Sequence, residues 1–220
     1  MALFGMIQDK SVDIKGMLKM KGVISDSLDA SEIENYTPEL SCTADSKLKD
    51  SIKDWIKSAF SQIADNKDIY AFEINLISHG LIPEGETDWR KAVAAAKISI
   101  CYGTEKGSVK LPKWNFSHYN NFGYYEYEYL KTWLESGNYS LEESDRDRTH
   151  QRLADILVVA VSELHKEEYF EKNYGKKLPI VIQGFSNDGT GRLTAMLSVK
   201  ANGIDCFDKE FFKMLMLKIV

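Results

Sequence analysis

Hydrophobic residues recur at helical spacing in two long stretches of the chain. After Ser46 the apolar positions lie three or four residues apart, at Leu48, Ile52, Trp55, Ile56, Ala59, Phe60 and Ile63. The spacing returns after Ser144, at Leu153, Ile156, Leu157, Ala160, Val161 and Leu164. Such spacing collects apolar side chains on one face of an α-helix. The pattern predicts helices over Ser46–Asp65 and Ser144–Lys172, the second opened by a sequence that resembles a capping box.

Other stretches have the composition or alternation of β-strands. Asp68–Ile77 is rich in β-branched and aromatic residues, and Ala94–Tyr102 alternates apolar with polar positions. Leu178–Phe185 and Leu193–Val199 are predicted as two further strands. Ser186–Gly191 lies between them, and its glycine, asparagine and aspartate content is typical of a hairpin turn. We therefore expect two strand pairs separated by helices.

This order of elements predicts the fold class. Antiparallel strand pairs that alternate with amphipathic helices are typical of an α+β fold, with an antiparallel or mixed sheet covered by helices. Residues 46–220 are predicted to form a single α+β domain. Residues 1–45 form an N-terminal extension that can pack on it, with Asp29–Glu39 expected to be a loop. Asp205 and Asp208 are candidate caps for a short C-terminal helix.

Composition and charge narrow the classes of function. The 220 residues are 44% hydrophobic and 28% charged, which is typical of a folded globular protein. The formal net charge of −5 disfavours nucleic-acid binding, which requires basic residues to neutralise phosphates. Neither a signal peptide nor a membrane-spanning run is visible, so we expect a cytoplasmic protein. Cys42, Cys101 and Cys206 lack metal or redox spacing, and we expect no metal or cofactor.

One segment departs strongly from ordinary composition. Trp114–Trp133 holds nine aromatic residues in twenty positions, and no Lys or Arg lies between Trp114 and Leu130. Its second half has helical spacing, so Tyr129, Leu130 and Trp133 are expected in the core. In its first half, asparagine and glycine interleave with the rings, which indicates a hydrogen-bonded surface loop.

The first half of this aromatic segment is the candidate partner surface. Exposed Trp and Tyr rings anchor many protein interfaces, and flanking acids favour a basic partner. The absence of basic residues disfavours stacking on single-stranded nucleic acid. The predicted partner-binding residues are Trp114, Phe116, His118, Tyr119, Tyr124, Tyr125, Glu126 and Glu128.

Two other functions remain open. Cys101 and His118 could serve as the nucleophile and base of a hydrolase-like enzyme, but a buried structural thiol is the favoured interpretation of Cys101. The second possible function is a sensor that binds a small ligand in a pocket lined by the aromatic segment. Gly184–Gly191 is glycine-rich, but it lacks the Gly-Lys-Ser/Thr ending of a phosphate loop, and a strand is predicted after it.

The succession of elements also resembles a class of bacterial proteins. An amphipathic helix, the strand Ile69–Phe72, a Trp/Tyr-rich middle and a long helix followed by an apolar strand resemble immunity proteins found beside polymorphic or contact-dependent toxins. The similarity covers roughly residues 46–200. It implies a non-catalytic cytoplasmic protein that binds and blocks one cognate toxin domain, and it implies no particular site residue.

Overall fold

The strands form one sheet of mixed direction. The computed structural model describes residues 14–20, 30–63, 68–77, 97–106, 113–114, 120–124, 127–136, 143–183 and 191–215. The strands are β1 (Ile69–Ile77), β2 (Lys97–Thr104), β3 (Asn120–Tyr124) and β4 (Ile180–Ile182), in the spatial order β3-β2-β1-β4. β2 is antiparallel to both of its neighbours, whereas β4 is parallel to β1. The predicted α+β class with a mixed sheet is confirmed.

Helices make up most of the rest of the described chain. They are α1 (Ile14–Met20), α2 (Ala30–Asn35), α3 (Thr43–Ser61), α4 (Tyr127–Ser136), α5 (Glu143–Lys166), α6 (Tyr169–Tyr174), α7 (Arg192–Asn202) and α8 (Lys209–Met214). A 3₁₀ turn, Ile204–Cys206, precedes α8. None of the helices described has the length and apolar character needed to cross a membrane.

The two long helices pack on one face of the sheet, as the sequence predicts. Phe72 and Ile74 of β1 lie two residues apart and therefore point to the same side. The rings of Phe60 from α3 and Phe72 stack with centroids 3.9 Å apart. Leu157 of α5 is fully buried in the same cluster. This main cluster also receives Trp133 from α4, so the expected core position of that ring is confirmed.

A second hydrophobic cluster lies on the other side of β1 and β4. Tyr70 and Val181 contribute from the strands, and Val199 and Phe211 contribute from α7 and α8. Segments before residue 46 contribute as well, through Leu18, Ala30 and Ile33. The start of α3 at Thr43 also lies before residue 46. The division at residues 45 and 46 itself stays a prediction.

The predicted strand Leu193–Val199 is wrong, because these residues lie in α7. The helix is buried on two sides. Leu193, Leu197 and Ala201 lie four residues apart and contact the main cluster, while Ala195 and Val199 face the second cluster. Two helical stripes offset by two residues place an apolar residue at every second position. That alternation has the period of a strand.

Two segment boundaries also differ from expectation. The helix predicted over Ser144–Lys172 ends at Lys166, and α6 begins at Tyr169, because Glu168 adopts a left-handed conformation with φ of 54°. The loop expected over Asp29–Glu39 contains α2. Asp208 does cap α8, since its side chain accepts a hydrogen bond from Phe211 N at 3.0 Å.

Side chains of α7 bond to the outer edge of β4. Asn202 Oδ1 accepts from Ile180 N at 2.7 Å, and its Nδ2 donates to Ile180 O at 2.8 Å. Ser198 Oγ accepts from Ile182 N at 3.0 Å. The amide of Asn202 therefore imitates the pairing of a fifth strand. His165 Nε2 lies 2.8 Å from the same Asn202 oxygen, which can only accept, so Nε2 carries a proton; burial lowers the pKa of His165 and favours the neutral ring.

Candidate functional site

Trp114 was predicted as an exposed partner anchor, and the structure corrects this. Its side chain is 1% exposed and belongs to the second cluster. The indole Nε1 donates to Asp208 Oδ1 at 2.7 Å, and the ring packs edge-on against Phe211 with centroids 5.1 Å apart. Burial with a satisfied indole N–H is the usual state of a core tryptophan. Trp114 therefore attaches its segment to α8, and its own ring is not available to a partner.

The other predicted partner-binding residues stay predictions. Tyr124 ends β3, and Glu128 lies in the first turn of α4, so the backbone places both. The remaining five lie outside the described residues: Phe116, His118, Tyr119, Tyr125 and Glu126. The surface loop expected here is corrected in part, because Asn120–Tyr124 is a strand.

β3 lies at one end of the strand order. It pairs with β2 through Asn120, Asn121, Gly123 and Tyr124, and a register shift leaves Phe122 without a partner on β2. No other described strand pairs with β3. The strand carries no charged side chain, whereas charges commonly protect exposed sheet edges from pairing with another chain. A bulge at a sheet edge frequently accompanies a functional surface.

A second candidate site lies on the sheet itself, around Glu73. This side chain is 2% exposed, and Gln183 Nε2 donates a hydrogen bond to its Oε1. Burial raises the pKa of Glu73 to about 8, and the hydrogen bond from Gln183 only partly opposes this. The carboxyl is therefore mostly protonated at neutral pH. Sequence reasoning passed over Glu73, although an acid inside the apolar run Ile69–Ile77 is a visible signal.

Polar residues of three strands collect around this carboxyl. Cys101 lies directly across from Glu73 on β2, and Ser99 lies across from Asn75 in the next row. Gln183 follows β4, and its backbone N donates to Ile74 O at 3.0 Å. Alternate residues of a strand share a face, so these groups lie on the side of β1 opposite Phe72 and Ile74. We call Glu73, Asn75, Ser99, Cys101 and Gln183 the Glu73 cluster.

Cys101 is a poor nucleophile in this environment. Burial raises the pKa of its thiol to about 11, the Glu73 charge adds to this, and a hydrogen bond with Ser99 opposes it. A nucleophilic cysteine needs the opposite surroundings, with a cation or a helix N-terminus to favour the thiolate. His118 lies outside the described residues, so its distance from Cys101 stays untested.

Other buried charges of the described chain hold helices together. Asp45 accepts hydrogen bonds from Trp133 Nε1 at 2.8 Å, from Ser41 N at 2.9 Å and from Arg152. Burial alone would raise the pKa of Asp45, but these bonds and the Arg152 charge outweigh it and lower the pKa. This arrangement joins the start of α3 to α4 and α5.

An ion-pair ladder connects α3 with the C-terminal end of α5 and with Glu167, which follows it. Lys53 Nζ lies 2.7 Å from Glu163 Oε2 and 2.6 Å from Glu167 Oε1, with Lys49 and Lys57 on either side. The ladder accounts for these lysines as structural groups. In the described ranges, no three His, Cys, Asp or Glu side chains come together as metal ligands.

Comparison of the chain with protein-family models, curated protein sequences and solved structures gives no match. The structure establishes an α+β protein with helices packed on a mixed sheet. The similarity to immunity proteins therefore stays a prediction, and function is inferred from the uncharged edge strand and the Glu73 cluster.

Proposed function

We propose that this chain is a non-catalytic binding protein that neutralises a cognate bacterial toxin by occluding it, as an immunity protein does. The observation that carries the proposal is β3, an uncharged strand inside the aromatic segment that pairs on one side only within the described sheet. Such an edge can accept a strand from a partner, with main-chain hydrogen bonds supplying affinity. Neighbouring rings then supply specific contacts.

Charge supports the same kind of partner. The chain has a net charge of −5, and Glu126 and Glu128 lie two and four residues after the end of β3. Acidic groups around an interface speed the approach of a basic partner and help to exclude acidic ones. A basic toxin domain, such as a nuclease, is the partner class that fits this charge.

The enzyme alternative has less support. A hydrolase based on Cys101 requires an accessible thiolate, and the raised pKa of this thiol opposes it at neutral pH. The Glu73 carboxyl makes the thiolate still less favourable, because the two groups face each other across neighbouring strands.

A growth-protection assay tests the proposal. The product of the gene beside this chain is expressed from an inducible promoter, alone and together with the chain. We expect growth arrest by the neighbour alone, rescue on co-expression, and a stoichiometric complex of the purified proteins by calorimetry. A toxic neighbour that the chain neither binds nor neutralises contradicts the proposal, and so does a harmless neighbour that forms no complex.

Matched variants locate the contact surface. Asn120→Lys places a charge on the edge strand, and Phe116→Ala/Tyr119→Ala removes two predicted ring contacts. We expect each to weaken toxin binding by about 2 kcal/mol or more while circular dichroism shows an intact fold. Ser58→Lys adds the same charge on the exposed side of α3 and serves as the control. Full affinity in both folded test variants would place the interface elsewhere.

A further inference from the structure

The Glu73 cluster has no part in the proposed partner surface, and its chemistry points to a ligand. Gln183 uses its Nε2 on Glu73, which leaves the amide Oε1 to accept hydrogen bonds. Asn75 and Ser99 add an amide oxygen and a hydroxyl on the same face of the sheet. The cluster therefore offers several acceptor oxygens around one carboxyl, although the amide of Asn75 and the hydroxyl of Ser99 can also donate.

Charge in the cluster is unbalanced. Within the described residues, no Lys, Arg or His side chain forms an ion pair with Glu73. An anionic ligand would meet a carboxyl and acceptor oxygens, so it is disfavoured. A cation with N–H donors would meet complementary groups, and the Coulomb attraction is strong away from bulk water.

The position of the cluster also suits a ligand. Glu73 and Ser99 are buried, while Asn75, Cys101 and Gln183 beside them are only half-buried, so the cluster reaches solvent through these three residues. Gln183 lies just beyond the carboxyl end of β4, beside its parallel neighbour β1. Ligands of sheets with parallel strands commonly bind at the carboxyl ends of those strands.

We propose that the Glu73 cluster binds the ammonium or guanidinium end of an organic cation. The Glu73 carboxyl releases its proton to solvent on binding and pairs with the cation as a carboxylate. Gln183 Oε1 and the oxygens of Asn75 and Ser99 accept the remaining N–H donors. The inference does not depend on the toxin partner, because Glu73 lies on β1, which β2 separates from the proposed partner strand β3.

Calorimetry with small cations tests the proposal. n-Butylammonium and n-butylguanidinium chloride are titrated into the full chain at pH 7 in two buffers of different ionisation enthalpy. We expect saturable binding of at least one of them with release of about one proton, because Glu73, with a pKa of about 8, starts mostly protonated. Tetramethylammonium has the same charge without N–H donors and is expected not to saturate the site.

Variants separate the site from general surface attraction. Glu73→Gln is expected to weaken binding at least about tenfold and to abolish proton release, since the carboxyl is the charge partner. Glu34→Gln removes an exposed carboxyl of α2 and should bind like the wild type. Circular dichroism confirms that both variants are folded.

Each outcome decides the proposal or identifies the cation's source. Absence of saturable heat with both cations overturns it, as does equal binding to folded Glu73→Gln or equal binding of tetramethylammonium. If Nα-acetyl-lysine methylamide binds more tightly than n-butylammonium, the source of the cation is a protein side chain. The reverse order identifies a free amine, and both orders support the site.

Discussion

Glu73 occupies a sheet position where an uncharged side chain would be easier to accommodate. Val181, which pairs with Glu73 on β4, is apolar, and the carboxyl is 2% exposed. A buried carboxyl usually stays neutral, because removing its charge from water costs more than its few hydrogen bonds return. The presence of an acid at this buried position is the reason to assign Glu73 a role beyond packing.

Replacing this carboxyl by an amide should make the protein more stable at high pH. The pKa of Glu73 is raised from an ordinary 4.5 to about 8 in the folded chain. Below pH 4.5 the carboxyl is protonated in both the folded and the unfolded chain, so its titration does not change the free energy of unfolding. Between pH 4.5 and 8 only the unfolded chain ionises, and the free energy of unfolding falls as the pH rises. Between pH 4.5 and 8.5, the difference in unfolding free energy between Glu73→Gln and wild type should grow by roughly 3–5 kcal/mol.

Denaturant melts of both proteins across this pH range give the measurement. Other groups titrate in both chains alike, so the difference isolates Glu73. A difference that stays constant with pH would show that the carboxyl is ionised in the folded state.

Cys101 should react slowly with thiol reagents, whatever happens at His118. Its pKa of about 11 leaves little thiolate at pH 7.5, and its side chain is half-buried. Iodoacetamide should therefore modify Cys101 more slowly than the exposed Cys42, as peptide mass spectrometry can follow with time. Fast modification of Cys101 that His118→Ala suppresses would restore the enzyme alternative.

Elements with a single apolar stripe were predictable, and α7 was not. A single stripe, as in α3 and α5, has one period and identifies its helix. α7 lies between two clusters, and its two stripes combine into the alternation of a strand. Local pattern alone cannot separate these cases, because the difference arises from what packs on each side.

Leu157 provides the test of the predicted helix packing. It is fully buried between α5 and the sheet, so Leu157→Ala should lower the free energy of unfolding by about 2–5 kcal/mol through lost burial and a cavity. The exposed Ser58→Ala on α3 is the control and should change it by under about 0.5 kcal/mol. Denaturant melts measure both. A loss under about 1 kcal/mol for Leu157→Ala would contradict its place in the core.

The edge of β4 depends on one amide of α7. Asn202→Ala leaves Ile180 N and O without their partners in a buried position, and His165 loses its contact too. We expect a loss of roughly 2–4 kcal/mol in unfolding free energy. Asn173→Ala removes one exposed hydrogen bond to Tyr169 O and is the matched control. Equal stability of the two variants would mean that water replaces the Asn202 amide.

At the scale of the molecule, the sequence predicted the fold class better than the site. Amphipathic stripes and β-branched runs reflect burial directly, so they predicted helices on a sheet. Trp114 shows why the site was harder to predict. The sequence does not indicate whether an aromatic ring contacts a partner or packs inside the protein, as Trp114 does against Phe211. The Glu73 cluster brings β1, β2 and β4 together, and no local spacing contains that information.

Association with a basic toxin should depend on salt through the acids beside β3. Glu126→Gln/Glu128→Gln should slow association and flatten its salt dependence, while dissociation changes little, because outlying charges act mainly on approach. Stopped-flow or surface plasmon measurements at several ionic strengths distinguish the two rates. A faster dissociation with unchanged association would instead place these side chains in the buried centre of the interface.

The parallel pairing of β1 with β4 also affects how the chain folds during its synthesis. Phe72 leaves the ribosome long before its partner Ile180, so β1 and the β2 strand beside it are complete while one sheet edge is still open. Long-range parallel contacts form late and slowly. The nascent chain must therefore carry an unprotected hydrophobic strand until Ile180 has been made, and a ribosome that stalls before Ile180 leaves a fragment prone to aggregation.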